Sequence, residues 1–89
     1  MPTVRFTQNI QRHIACPPGK VVGGTVRQAM EAIFEDNPPL RSYVLDDQGL
    51  LRNHMIVFVN GEVVSDRQHL SDPVTDDAEI DVFQALSGG

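Results

Sequence analysis

The chain closes on ALSGG, Ala85 to Gly89, and the only reactive group that Gly88 and Gly89 add is a carboxylate. A carboxylate is a poor electrophile. Conversion to an acyl-adenylate supplies a good leaving group, after which sulfide or a persulfide can attack the carbonyl carbon. That chemistry requires a partner's active site to enclose the chain end. Glycines suit such an enclosure, because without Cβ they pass a channel too narrow for any side chain and take backbone angles forbidden to other residues. The six residues from Gln84 to Gly89 reach roughly 20 Å when extended, with Leu86, beside Ser87, as an anchor. Two final glycines are also what a frayed end or a cloning scar presents, so on these residues alone both readings stand.

The other chemistry-bearing residues carry less. His13, His54 and His69 stand in unrelated contexts, without a partnered Ser or Cys motif and without metal-ligand spacing, and read as surface or strand-edge histidines. Asp76, Asp77, Glu79 and Asp81 lack the glycine and closing glutamate of a calcium loop, and read as a solvated turn. The stretch GKVVGGT holds Walker-like residues in the wrong order. Its Gly23 and Gly24 precede a helix start and could hold an anion, or could simply serve a loop that needs their freedom. Cys16 could relay sulfur, but a lone cysteine at the end of an apolar stretch behaves most often as a small hydrophobe.

With 89 residues, 40% of them hydrophobic and spread along the whole length, the chain is expected to form one folded domain. Its formal charge of −5 and single lysine, Lys20, argue against nonspecific nucleic-acid binding and favour a basic partner surface. One cysteine cannot make an internal disulfide, and four-ligand iron–sulfur clusters are excluded by the same count. The start MPTVRFTQ lacks the pattern of a secretion signal, so a cytoplasmic location is expected. The longest strongly apolar run, Met55 to Val59, is far too short to span a bilayer.

The positioning elements follow from periodicity. Val4 and Phe6, then Ile10, Ile14 and Cys16, predict two N-terminal strands joined near Gln8 and Asn9, with Pro17, Pro18 and Gly19 ending the pairing. Val26, Ala29, Met30, Ile33 and Phe34 fall on one helical face. Thr25 caps that helix, Gln28 reaches back, and Asn37-Pro38-Pro39 stops it. A helical turn is expected at Leu40 to Val44 and a chain reversal at Asp46 to Gly49. HMIVFVNGEVVS reads as a hairpin turning at Asn60-Gly61, and EIDVFQ as the last strand. The order strand, strand, helix, strand, strand, strand predicts an α+β fold, one main helix on a mixed sheet of four or five strands.

Three stretches together resemble a known family: GTV opening the long helix (Gly24 to Val26), DDQGLLRNHMIVFVNGEVV (Asp46 to Val64) with its strand, Asn-Gly turn and strand, and the closing ALSGG. They resemble the ubiquitin-like sulfur carriers, MoaD- and ThiS-like, in particular the small subunit of molybdopterin synthase and the thiamine-pathway carrier. The resemblance implies a β-grasp (ubiquitin-like) fold over residues 1–89, with the last strand central beside the first and a flexible tail over 84–89. It implies that an E1-like, ATP-dependent adenylyltransferase activates Gly89, that sulfur replaces an oxygen to give a thiocarboxylate, and that a sulfur-accepting enzyme, such as the molybdopterin synthase large subunit, receives it. Catalytic side chains then belong to the partners, the chain is a carrier and not an enzyme, and it binds no cofactor or metal itself. Phe58, Phe83, Leu86, Ser87 and Gly88 become candidate partner contacts, with Phe58 equally readable as core.

Two departures bear on this. TDDAEI stands where the family often has an Asp-Gly-Asp-Glu type turn, which puts Asp77 at a glycine-like, left-handed position. Gln84 replaces the proline common in molybdopterin-type carriers, which bears on the downstream pathway: molybdenum cofactor, thiamine, cysteine or another sulfur metabolite. Two further function classes stay open. A protein modifier would form amide bonds through Gly89 to target lysines, with Lys20 as its own only acceptor besides the N-terminus. A non-covalent interaction module would have an inert tail.

Overall fold

The structure, a computed structural model, describes residues 1–84. Its elements in chain order are β1 (Thr3–Phe6), α1 (Gln8–Gln11), β2 (Gly19–Lys20), α2 (Val26–Asp36), α3 (Pro38–Val44), β3 (Met55–Val59), β4 (Glu62–Val63) and β5 (Glu79–Gln84). The strands form one sheet in the order β2-β1-β5-β3-β4. β1 and β5 run parallel in its centre, with Val4 opposite Ile80 and Phe6 opposite Val82, and the remaining pairs are antiparallel. The last strand therefore lies beside the first, as a β-grasp requires.

Side chains alternate across each strand, which gives the sheet two unlike faces. Val4, Phe6, Met55, Val57, Ile80 and Val82 point inward and are buried. Against them pack Val26, Ala29, Met30 and Phe34 of α2, and Leu40 and Val44 of α3. Ile33 completes the α2 face at its half-buried margin. The cap of α2 forms as its sequence predicts: Thr25 Oγ1 accepts from the Gln28 N–H at 3.1 Å, while Gln28 Oε1 reaches back to the Gly24 N–H at 2.8 Å.

Three local expectations are corrected. Ile10 to Cys16 is not a strand. Ile10 and Ile14 are one helical turn apart, the Ile14 N–H bonds the Ile10 carbonyl at 3.1 Å, and the segment makes α1 and an irregular stretch. The second strand comes after the prolines instead of before them, as Gly19–Lys20 paired to Val4 and Thr3. Pro38 and Pro39 do end α2, yet they also begin α3, since the first turn of a helix has no use for the N–H that proline lacks. Asp77 does not take a left-handed conformation. The turn closes between the Ala78 N–H and the Thr75 carbonyl at 3.1 Å, and among described non-glycine residues only Asn60 and Leu70 have positive φ.

The hairpin turn is as expected. Asn60 (φ 51°) and Gly61 (φ 86°) are the consecutive left-handed residues that a tight turn between twisted strands needs. Asn60 also fastens the hairpin to β5: its N–H reaches the Glu79 carbonyl at 2.8 Å and its Oδ1 accepts from the Glu79 N–H at 3.0 Å.

Candidate functional site

Inward burial of Val57 and Val82 leaves Ile56 and Phe58 of β3, and Asp81 and Phe83 of β5, on the opposite face of the sheet. Antiparallel register sets Ile56 opposite Phe83 and Phe58 opposite Asp81. Phe58 and Phe83 then meet diagonally, edge to face, with ring centroids 5.1 Å apart and planes at 70°. With Gly61 and Gln84 they line an open groove of about 440 Å³. Among the described residues nothing lies within 4 Å of where a Cβ on Gly61 would sit, so the turn leaves that end of the groove clear of them. Phe58 is half-buried and Phe83 remains 42% exposed.

The rim of this groove is acidic but internally paired. Arg5 of β1 reaches across to β5 and holds Asp81 with two hydrogen bonds, Nε to Oδ1 at 2.8 Å and Nη2 to Oδ2 at 3.0 Å, and meets Glu79 at 3.1 Å. One cation thus faces two carboxylates. A basic complement fits such a rim better than an acidic one. On the other side of Phe83, Thr7, Gln8 and Asn9 line a second open groove of about 440 Å³, which also ends on Gln84.

Gln84 is the last residue of β5 and pairs with Met55. Its side-chain oxygen accepts from the Tyr43 hydroxyl of α3 at 2.8 Å. The Tyr43 ring is flanked by His13, stacked at 5.5 Å, and by His54, edge-on at 6.5 Å. Sequence reading placed these two histidines in unrelated contexts, and the fold gathers them around one tyrosine. Tyr43, the Gln84 side chain, Arg5 and Ile56 are the residues it missed. Outward alternation along β3 could have found Ile56. The others depend on pairings between elements remote in sequence, such as β1 beside β5.

The remaining candidates have structural occupations. The N-terminal N–H groups of α2 are already bonded: Val26 to the Asp72 carbonyl at 3.0 Å, Arg27 to the Leu70 carbonyl at 2.8 Å and Gln28 to Thr25. With the Gly24 N–H on Gln28, the first-turn donors of α2 are engaged within the protein. Gly23 instead permits close approach, since a Cβ would lie 2.7 Å from the Ala29 nitrogen. Asp77 accepts from the Thr75 hydroxyl at 2.7 Å, which holds its carboxyl below the usual range. Cys16 is buried, and burial pushes its thiol pKa up, away from the thiolate a relay needs. No group of three or more metal-ligating side chains occurs among the described residues, and no helix among them is long and apolar enough to cross a membrane. Leu86, Ser87, Gly88 and Gly89 lie outside the described residues.

Residues 19–89 match the ThiS family. No curated protein sequence matches the chain. The structure is similar to SAMP1 from Haloferax volcanii, at 27% identity and a TM-score of 0.79 over 99% of this chain and 98% of that one. It is similar to a chain in the Amycolatopsis orientalis BexX/CysO complex, at 20% identity and a TM-score of 0.83 over 100% of both. It is also similar to Mycobacterium tuberculosis CysO, at 17% identity and a TM-score of 0.80 over 97% of this chain and 100% of that one. The last two likenesses speak for the fold alone.

Proposed function

The chain belongs to the ThiS family of small ubiquitin-like carriers and modifiers, and on that premise we propose that it is a sulfur carrier whose working group is the Gly89 carboxylate. The observation that carries this is the extent of the family match, which runs from Gly19 through Gly88 and Gly89. In this reading the carboxylate attacks the α-phosphate of ATP in an E1-like adenylyltransferase and pyrophosphate departs. Hydrosulfide then attacks the acyl-adenylate, AMP leaves, and a thiocarboxylate remains. A second enzyme takes the sulfur from it. The favoured acceptor is the large subunit of molybdopterin synthase, with thiamine, cysteine or another sulfur metabolite as the alternative destinations.

Partner docking falls to the outer sheet face. Half-buried Phe58 of β3 and exposed Phe83 of β5 form an aromatic pair beside the strand's last residue, and an accessible aromatic cluster rimmed by charge has the makeup of an interaction site. Leu86, Ser87 and Gly88 would extend the contact into the partner. That a CysO chain occurs in a complex with BexX supports a partner-dependent mode of action for this fold. ATP-dependent pyrophosphate exchange by a cognate activating enzyme tests the proposal: exchange should depend on this chain and disappear when Gly89 is deleted. Exchange that survives the deletion would refute it.

The 27% identity to SAMP1, a small archaeal modifier protein, favours one second reading, conjugation through Gly89 to lysines. Lys20, exposed on β2, would be the one side-chain acceptor within the chain. Because Arg67 is the last basic residue before Gly89, trypsin would leave the whole segment from Gln68 to Gly89 on a modified lysine, and that branched peptide on cellular proteins would decide for it.

A further inference from the structure

Two side chains from remote parts of the sequence meet at the end of β5, where Gln84 closes one end of the Phe58–Phe83 groove and the Tyr43 ring packs against the margin of the core. Tyr43 comes from α3, half-buried, and its hydroxyl crosses 41 residues of sequence to reach Gln84 Oε1 at 2.8 Å. His13 stacks on one side of its ring and His54 meets it edge-on, so the ring's position is set from two further parts of the chain. Among the described residues Gln84 is the last one paired in the sheet, through Met55. The five residues that follow it in sequence carry the group on which the proposed function rests. Strand ends fray, because their last pair has a neighbour on one side only. A side-chain hydrogen bond from a separate element opposes that fraying where β5 hands over to the closing segment.

We propose that Tyr43 is a positioning residue: its bond to Gln84 holds the end of β5 in place, so that a partner meets the docking face in fixed register with the residue from which the closing segment continues. The inference rests on the sulfur-carrier reading for its functional half only. Ordering a segment before binding removes an entropic cost from association without touching the chemical step. The clasp should therefore act on KM for this chain and leave kcat alone.

Four variants test it: Tyr43→Phe, which keeps the ring and its stacking, Gln84→Leu, Gln84→Glu, which keeps an acceptor, and the double variant Tyr43→Phe/Gln84→Leu. Backbone 15N relaxation at Phe83 and Gln84 is measured on the isolated protein, and KM and kcat are measured in pyrophosphate exchange with the activating enzyme, after thermal melts establish that each variant folds. The expected result is loss of order at Gln84 in Tyr43→Phe and Gln84→Leu with no further loss in the double variant. KM should rise about fivefold, the factor one hydrogen bond of ordinary strength sets, with kcat unchanged, and Gln84→Glu should retain wild-type KM. Unchanged relaxation in Tyr43→Phe, or a fall in kcat at constant KM, would overturn the proposal. If the wild-type chain is never adenylated, the carrier reading fails, and the relaxation data still decide whether the clasp orders the strand end.

Discussion

Replacing Phe83 with alanine probes both binding and folding on the outer sheet face. The ring is 42% exposed, and of an aromatic area of roughly 200 Å² that leaves about 80 Å² for a partner to cover. At about 25 cal/mol per Å² this amounts to ~2 kcal/mol, or about 30-fold in affinity. The isolated fold loses a comparable amount, since about 120 Å² of the ring is already covered by the protein, worth ~3 kcal/mol, besides the edge contact with Phe58 at 5.1 Å. The assay is KM for this chain in pyrophosphate exchange, set beside a thermal melt of the same sample. Val22→Ala is the control: Val22 is 76% exposed, more than Phe83, but follows β2 at the far edge of the sheet. If docking uses the Phe58–Phe83 face, Phe83→Ala raises KM by about 30-fold and Val22→Ala leaves it unchanged. An unaffected KM in Phe83→Ala, or an equal rise in both variants, would refute the assignment of the face.

Two further predictions concern the framework. Gly23→Ala places a Cβ 2.7 Å from the Ala29 nitrogen and 3.1 Å from the Gln28 carbonyl carbon, backbone atoms that cannot turn aside, so destabilisation of ~1–3 kcal/mol is expected. Gly24→Ala meets only Gln28 Oε1 at 3.4 Å and should melt near wild type; equal melting temperatures for the two variants would contradict the packing argument. The second is acid sensitivity. The Arg41 guanidinium holds the Glu31 carboxyl below its usual range against an opposing effect of burial, the Ser71 hydroxyl and the His69 N–H do the same for Asp66, and Thr75 does so for Asp77. Folded values below unfolded ones make these groups stabilising above the unfolded carboxylate pKa of ~4, a contribution lost as pH falls through the folded values. Melting temperature should hold near neutrality and decline on acidification, with the Glu31 share weakened by salt because its side chain is 38% exposed. A melting temperature that rises with acidification would go against it.

Much of the fold is legible because its signals are local. The α2 face, the Thr25 cap and the Asn60-Gly61 turn each depend on residues within one turn or one hairpin, and each forms as read. The N-terminal misreading arises where two periodicities overlap. Ile10, Ile14 and Cys16 satisfy alternation, while Ile10 and Ile14 also satisfy a helical step of four, and packing of Ile10 into the core decides between them. A two-residue strand such as Gly19–Lys20 carries no periodicity at all and exists because β1 offers it an edge. For the site, the pairing of Phe58 with Phe83 follows once register is known. The Arg5–Asp81 bridge and the Tyr43–Gln84 bond span 76 and 41 residues and leave no mark in any short window.

The central claim is that the Gly89 carboxylate carries sulfur, and intact-protein mass spectrometry tests it most directly. The chain is incubated with ATP, its activating enzyme and a sulfur source, and fragment ions locate any change. Replacement of one oxygen by sulfur on Gly89 is the expected result, reversed when the acceptor enzyme and its substrate are added. A chain that stays at its original mass under those conditions, or that takes up sulfur at Cys16 instead, would contradict it.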